Sequence, residues 1–182
     1  MTESLDIAQL GNYVLRQTAC PIGQKIDSSF QTLIDDMLSV LKKSKGVGLA
    51  APQVSESVRL FIVASAPNAR YPNAPMMEPT AMINPKILAF SGQMISDWEG
   101  CLSVPGIRGW VPRHHSVDVE YTDRHGRIYK KQLSGFVARI FQHELDHLDG
   151  LVFLDRLSSN HDIITEQEYL KLIAAQDRGK QI

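Results

Sequence analysis

Residues 142–147, with the sequence Gln-His-Glu-Leu-Asp-His, constrain this chain more than any other stretch. Apolar residues recur around them at intervals of three and four, which predicts an amphipathic helix that ends near Gly150. On such a helix His143 and His147 share one face, so both imidazoles can bind a single metal ion. Glu144 lies one step round the helix, where its carboxylate can reach a water on that ion. The motif therefore predicts a metal site.

Two histidines leave the site incomplete, because a catalytic metal of this kind takes three protein ligands and keeps one position open. One extended form of the motif places a third histidine at position 153, but Phe153 cannot bind a metal. Glu166 or Glu168 from a later helix is a second source, although acidic residues in a first helical turn already suit the helix dipole. Cys101 is the third source. We favour it because a thiolate is a strong ligand and Gly100 lets the backbone approach closely.

The glycine-rich stretch over residues 46–53, Gly-Val-Gly-Leu-Ala-Ala-Pro-Gln, is a second unusual feature. Two glycines and two alanines predict a backbone that runs close to another element or to a ligand. A phosphate-binding loop is disfavoured, because no Lys followed by Ser or Thr comes after it. The amide of Gln53 can polarise a carbonyl oxygen. Taken alone, however, the stretch fits a solvated turn better.

Composition excludes several classes of protein. The chain has 182 residues, 43% of them hydrophobic, which predicts one globular domain over residues 1–182. A net charge of -1 gives no reason to expect nucleic acid or an anionic membrane as a partner. No apolar run approaches a membrane span, and residues 1–20 lack the plan of a signal peptide. Two cysteines make no disulfide framework, so we expect a cytoplasmic protein.

The remaining patterns predict an α+β fold, with antiparallel β-sheets packed around a central metal-binding helix and with one N-terminal and one C-terminal helix. The predicted elements are a capped helix over 28–45, a buried strand over 58–65, an extended segment over 80–90 with a turn or bulge at 84–85, a segment over 93–101 that 104–106 ends, a hairpin over 116–133, and a final helix over about 164–176. Four prolines over 66–79 predict a long surface loop.

Three stretches, over residues 46–53, 99–103 and 142–147, resemble in this order the three signature motifs of the peptide deformylases. The resemblance extends to the connecting stretches and covers roughly residues 10–157, which leaves 158–182 as a C-terminal helical extension. It implies a metal-dependent hydrolase that removes the N-formyl group from the starting methionine of new polypeptides and releases formate.

The resemblance also implies the chemistry of the site. Glu144 matches the family's acid/base, which moves protons while a metal-bound water attacks the formyl carbonyl. Gln53 and the backbone N–H of Leu102 match the pair that holds the formyl oxygen. The implied cofactor is one divalent ion, commonly Fe²⁺, for which Zn²⁺, Ni²⁺ or Co²⁺ can substitute. The matching metal ligands are Cys101, His143 and His147.

Substrate contacts are implied in the same way. Gly48 matches the residue whose backbone meets the peptide, which could add there as a strand. Arg139 lies one turn before His143, where some family members carry an aliphatic residue, and it would either rim the pocket or point to solvent. The other positions expected to line the site are Glu99, Gly100 and Arg108, and the candidates for an apolar methionine pocket, each equally explained as core, are Val47, Phe136 and Ile140.

The expected partners are nascent peptides that begin with formyl-methionine, with a transient ribosome contact as a further expectation for the C-terminal helix. Two other classes of function stay open at this stage. One is a general metallopeptidase with a glutamate as the third ligand. The other is a structural metal domain, although such sites normally carry four protein ligands and the sequence shows no fourth.

Overall fold

The computed structural model describes residues 5–23, 26–68, 71 and 73–179. Its architecture is α+β with antiparallel sheets, as the sequence predicts. The helices are α1 (Ser28–Ser44), α2 (Gly135–Leu148) and α3 (Glu166–Gly179). The strands are β1 (Gly48–Ala50), β2 (Leu60–Ser65), β3 (Met77–Phe90), β4 (Met94–Cys101), β5 (Val104–His114), β6 (Ser116–Thr122), β7 (Ile128–Ser134) and β8 (Ile163–Thr165).

The strands form two sheets, and α2 contacts strands of both. One sheet has the order β1-β2-β3-β6-β7 and the other has the order β4-β5-β8, with neighbouring strands antiparallel throughout. The helix that carries the histidine motif is therefore the central element of the fold. Among the described residues, no helix combines the length and the apolar character needed to cross a membrane.

Strand β2 explains how the larger sheet is held between two helices. Phe61 and Val63 pack in a cluster with α2, while Leu60 and Ile62 pack in a second cluster with α1. The rings of Phe61 and Phe141 meet edge to face, with their centroids 5.1 Å apart, and both side chains are fully buried. Because both faces of the strand are covered, its sequence is a continuous apolar run instead of an alternating one.

Helix α1 has the N-terminal cap that its sequence predicts, and it ends at the predicted position. The Asp27 carboxylate accepts hydrogen bonds from the N–H groups of Ser29 and Phe30, and Lys45 ends the helix in the left-handed region at φ 53°. The predicted irregularity in β3 is also present, because Asn84 has φ 48°. Its side-chain amide exchanges two hydrogen bonds with the backbone of Ile22, at 2.7 and 2.9 Å, and so fixes the N-terminal segment to the sheet.

Two predicted boundaries are wrong. Residues 104–106 do not end the cysteine segment, since Val104 begins β5 and pairs with Cys101 in a tight hairpin. The last helix does not begin near 164, because residues 163–165 form β8 on the free edge of β5 and α3 starts at Glu166. The sequence Ile-Ile-Thr is β-branched throughout, which suits a strand wherever a sheet edge is available.

Candidate active site

Helix α2 brings its two histidines to the end of β4, where Cys101 lies. The Cys101 Sγ is 3.2 Å from Nε2 of His147, and one ligand atom from each of Cys101, His143 and His147 lies within 4.8 Å of the others. His143 is 8% exposed and His147 is fully buried. Strand and helix thus place two imidazoles and one thiol around a single point, which is the donor set expected from the sequence.

The other two sources of a third ligand are not part of this donor cluster, although Glu166 lines the cavity next to it. Glu166 is bound by the guanidinium of Arg108, and Glu168 is an exposed side chain that pairs with Lys171 at 2.6 Å. Phe153 occupies the position of the extended motif and stacks on His143, with the ring centroids 6.2 Å apart. Among the described residues, Cys101 is the third donor that the geometry offers.

The three donors fit a divalent transition metal. Nδ1 of His143 lies 2.8 Å from Oε2 of Glu99, so the opposite ring nitrogen is left for an ion. Burial alone would raise the pKa of Cys101, but the adjacent imidazoles of His147 and His143 hold it well below its usual range, which favours the thiolate. Two imidazoles and a thiolate are ligands that suit Fe²⁺ or Zn²⁺.

Glu144 extends into the same space from the next position of α2. It is 4% exposed, and burial raises the pKa of its carboxyl to about 7. Within the described part of the chain, its Oε2 has no hydrogen-bond partner. A carboxyl group that is half protonated near neutral pH and is open on one oxygen can both accept and donate a proton.

Gln53 is held in a fixed orientation beside the thiol. Its Oε1 accepts the N–H of Ala50 at 2.8 Å, so its Nε2 must face the other way, towards Ser103 Oγ at 3.2 Å and Cys101 Sγ at 3.4 Å. The amide donor therefore points at the site. Leu102 lies in the turn that follows Cys101 and lines the same cavity.

The Glu99 carboxylate connects a buried charge network to the histidine. Arg113 donates to both of its oxygens, at 2.9 and 3.0 Å, and also donates to Asp146 at 2.6 Å. Burial alone would raise the pKa of Glu99. The charge of Arg113 and the hydrogen bond between Glu99 and His143 instead hold that pKa far below its usual range. Glu99 is therefore ionised and orients His143. Sequence reasoning missed Arg113 and Asp146 as site residues, although Asp146 lies inside the histidine motif.

Arg139 belongs to the same network and does not point to solvent. Its Nη1 donates to Glu99 at 2.8 Å and to the carbonyl of Val111 at 2.8 Å, and its Nη2 donates to the carbonyl of Ile95 at 2.6 Å. It is 8% exposed and forms part of the cavity wall. At this position the charge balances Glu99, a role that spacing along the helix cannot reveal.

Most of these groups line one cavity of about 260 Å³, whereas His147, Arg113 and Asp146 do not line it. Tyr71 and Trp98 also line it, and neither was predicted to do so. Tyr71 falls in the stretch that was predicted to be a surface loop. The residues proposed from the sequence that line this cavity are Val47, Gly48, Gln53, Glu99, Gly100, Cys101, Leu102, Arg108, Phe136, Ile140, His143 and Glu144.

A helix that brings two imidazoles together with a thiol, and that places a carboxylate in the adjoining cavity, defines the class of a metallohydrolase site. A family comparison narrows the class. A model of the polypeptide deformylase family matches residues 4–162, and this chain belongs to that family. Its members are hydrolytic enzymes.

Individual relatives agree with this membership. The chain is 60% identical over 171 residues to peptide deformylase 2 of Nostoc sp., which covers 94% of this chain and 96% of the relative. It is 43% identical to peptide deformylase 2 of Shewanella oneidensis, over 90% of each chain. The structure superposes with a TM-score of 0.82 on a class I type b peptide deformylase from Acinetobacter baumannii bound to Met-Ala-Ser, at 43% identity, with 86% of this chain and 100% of that one covered.

Proposed function

We propose that this chain removes the N-formyl group from the N-terminal formyl-methionine of newly made polypeptides and releases formate. The observation that carries the proposal is the cluster of donor atoms from Cys101, His143 and His147, next to a cavity that Glu144 lines, in a member of the polypeptide deformylase family. The related enzyme from A. baumannii with bound Met-Ala-Ser supports a peptide that begins with methionine as the product.

Cys101, His143 and His147 would hold one divalent ion, for which we propose Fe²⁺ in the cell, with Zn²⁺, Ni²⁺ or Co²⁺ as substitutes. Bound there, such an ion supplies a Lewis acid that lowers the pKa of water and polarises a carbonyl group. Glu99 keeps His143 in the orientation this requires, because it accepts the proton on Nδ1 and leaves Nε2 free.

Glu144 is the general base and then the general acid. Its open carboxylate oxygen accepts the proton of the attacking water, and the same carboxyl then donates a proton to the departing amine, which is a poor leaving group unless protonated. A pKa of about 7 suits both transfers at neutral pH. Positioned proton transfer of this kind typically contributes roughly a hundredfold to ten-thousandfold in rate.

Gln53 and the backbone N–H of Leu102 stabilise the oxygen of the formyl group as negative charge develops on it. The Gln53 amide is held in place by its bond from Ala50, so no reorganisation is needed when the charge appears. One such donor is typically worth about 3 kcal/mol in the transition state. A formamide is a weak electrophile, so this stabilisation is a large part of what the site must supply.

The apolar side chains that line the cavity account for a preference for methionine as the first residue of the substrate. Val47, Phe136 and Ile140 line the cavity beside the reactive groups, where they would contact an unbranched thioether side chain. The peptide backbone runs past Gly48, which lines the cavity together with Glu144. Because different proteins share only their first residue, recognition beyond methionine must use main-chain hydrogen bonds.

Formate release from formyl-Met-Ala-Ser tests the proposal, with acetyl-Met-Ala-Ser as control. We expect release from the formyl peptide alone, and we expect Glu144→Gln to abolish it while the bound metal stays at the wild-type level. Cleavage of the Met-Ala bond would instead identify a metallopeptidase. Formate release that survives in Glu144→Gln would remove the carboxylate from the mechanism, and no release from metal-loaded protein would overturn the assignment.

We also propose a cytoplasmic location, since formylated chains emerge from ribosomes there. A transient contact of the chain with the ribosome remains a prediction, which co-sedimentation with purified ribosomes would test. The organisation of residues 1–182 as one domain also remains a prediction.

A further inference from the structure

The side chain of Arg108 links the wall of the cavity to the C-terminal segment. Its Nε and Nη2 both donate to the carboxylate of Glu166, at 2.5 and 2.9 Å, and its Nη1 donates to the hydroxyl of Tyr71 at 2.8 Å. The guanidinium also lies 4.5 Å from the ring centre of Tyr169. Arg108 is 2% exposed, so it offers the substrate little surface.

The backbone around Arg108 makes this arrangement a built feature of the fold. Arg108 pairs with Ile164 in the β5–β8 register, which places Glu166 two residues further along, at the first position of α3. A Cβ at Gly100 would lie 2.8 Å from Cζ of Arg108, so only glycine leaves room for the guanidinium there. A bidentate pair between a planar guanidinium and a carboxylate has a defined geometry, and it fixes α3 against the site.

Tyr71 is the other end of this link. Its ring packs on Phe136 with the centroids 4.9 Å apart, and both rings line the cavity that Glu144, Cys101 and His143 also line. A tyrosine ring whose hydroxyl is anchored and whose face is packed has one position available to it. Tyr71 thus closes the cavity on the side of Phe136, one of the residues proposed to contact methionine.

We propose that Tyr71 is a specificity-determining residue that closes the pocket for the first side chain of the substrate, and that Glu166 is a positioning residue that holds Tyr71 in place through Arg108. This inference rests on the proposed deformylase function. It gives the C-terminal segment a role in the reaction: without the Glu166 carboxylate, the guanidinium loses the partner that orients it, and the Tyr71 hydroxyl loses a fixed donor.

The experiment compares kcat and KM for formyl-Met-Ala-Ser and formyl-Phe-Ala-Ser, using metal-loaded protein. Tyr71→Ala opens the wall, so we expect the preference for methionine over phenylalanine to fall about tenfold, mostly through KM. Glu166→Gln and Tyr71→Phe should shift the preference in the same direction by a smaller factor. Glu168→Gln is the matched control, because this exposed glutamate lies in the same helix turn and pairs only with Lys171 among the described residues, and it should behave as wild type.

Thermal unfolding of each variant accompanies the kinetics. If Tyr71→Ala does not fold, the Glu166→Gln and Tyr71→Phe pair decides the question. An active wild type whose variants keep the wild-type preference, or lose kcat equally on both peptides with KM unchanged, would overturn this inference alone. A wild type that releases no formate would overturn the proposed function as well, so the two failures can be told apart.

Discussion

The side chain of Glu144 ends in the space that a Cβ at Gly48 would fill. An ideal Cβ at Gly48 would lie 2.7 Å from Cδ of Glu144 and 2.9 Å from its Cγ, closer than carbon atoms approach without displacement. Strand β1 therefore forms one wall around the carboxyl group of Glu144, and glycine is required there before any substrate binds.

Gly48→Ala should accordingly reduce kcat, not only raise KM. The added methyl group must push Glu144 away from its position, and the loss of a well-placed acid/base typically costs about a hundredfold or more. Steady-state kinetics on formyl-Met-Ala-Ser measures this, and a crystal structure of the variant would show the displaced carboxyl group. A pure KM effect, which substrate docking beside Gly48 alone would produce, would contradict the steric argument.

Gly92→Ala is the control for that variant. A Cβ at Gly92 would have no heavy atom within 4 Å, so its activity should equal that of wild type.

Glu99→Gln should weaken both metal binding and the fold. The substitution removes a buried negative charge that pairs with Arg113 and Arg139 and that orients His143. Breaking a buried pair typically costs about 3–5 kcal/mol, because the remaining charge stays buried without compensation. Loss of a partner behind a ligating histidine typically lowers metal affinity by roughly ten- to a hundredfold.

Chelator competition and urea unfolding measure the two effects of Glu99→Gln separately. Glu120→Gln serves as the control, because Glu120 also pairs with two cations, Lys86 and Lys130, but does so at the surface. We expect the control to keep wild-type metal affinity and its unfolding midpoint. Unchanged metal affinity in Glu99→Gln would show that His143 is held by other contacts.

The sequence predicted the groups that share an element or a motif. His143, Glu144 and His147 follow from helical spacing, and the N-terminal cap of α1 follows from Asp27, because both depend on residues a few positions apart. The residues alone excluded Phe153 and favoured Cys101 over a glutamate of the last helix, and the resemblance carried by the order of three motifs then supported that choice. Local spacing rules and the family pattern together were enough to predict His143, Glu144, His147 and Cys101 as site residues.

The contacts around these groups could not be predicted, because they join distant segments of the chain. Tyr71 and Arg108 are 37 residues apart, and Arg108 and Glu166 are 58 apart. Helical periodicity could equally place Arg139 at a pocket or in solvent, and only the approach of Glu99 from another element decides its position. The start of α3 was misplaced for the same reason, since β8 forms only because the edge of β5 is there to pair with it.

Asp123 should make the stability of the β6–β7 hairpin depend on pH. Its carboxylate accepts the N–H groups of His125 and Arg127 at 2.8 and 3.0 Å, and Arg127 Nε at 2.8 Å. Burial alone would raise the pKa of Asp123, but these hydrogen bonds together have the larger effect and lower it below its ordinary value of 3.8. Because the pKa of Asp123 is lower in the folded state than in the unfolded state, its carboxylate stabilises the fold fully at pH values above the unfolded-state pKa. This stabilisation is lost as the pH falls through the folded-state pKa.

Asp123→Asn should therefore be less stable than wild type at neutral pH, and the difference should shrink as the solution is acidified. Urea unfolding of both proteins across that range measures the difference directly. A gap that stays constant at every pH would mean that the carboxylate acts only through its shape.

Protein prepared in air should lose activity relative to protein prepared without oxygen. Cys101 is held as a thiolate beside His147, and thiolates oxidise more readily than thiols, as does Fe²⁺ if that ion is bound. Zinc-loaded protein should be less sensitive to air, because zinc has no redox chemistry. Cys20→Ser separates the two cysteines: Cys20 is exposed and outside the site, so the variant should lose activity in air as wild type does. Equal activity after both preparations would contradict the prediction. A Cys20→Ser variant that keeps its activity in air would show that Cys20, and not Cys101 or the metal, is the group that air oxidises.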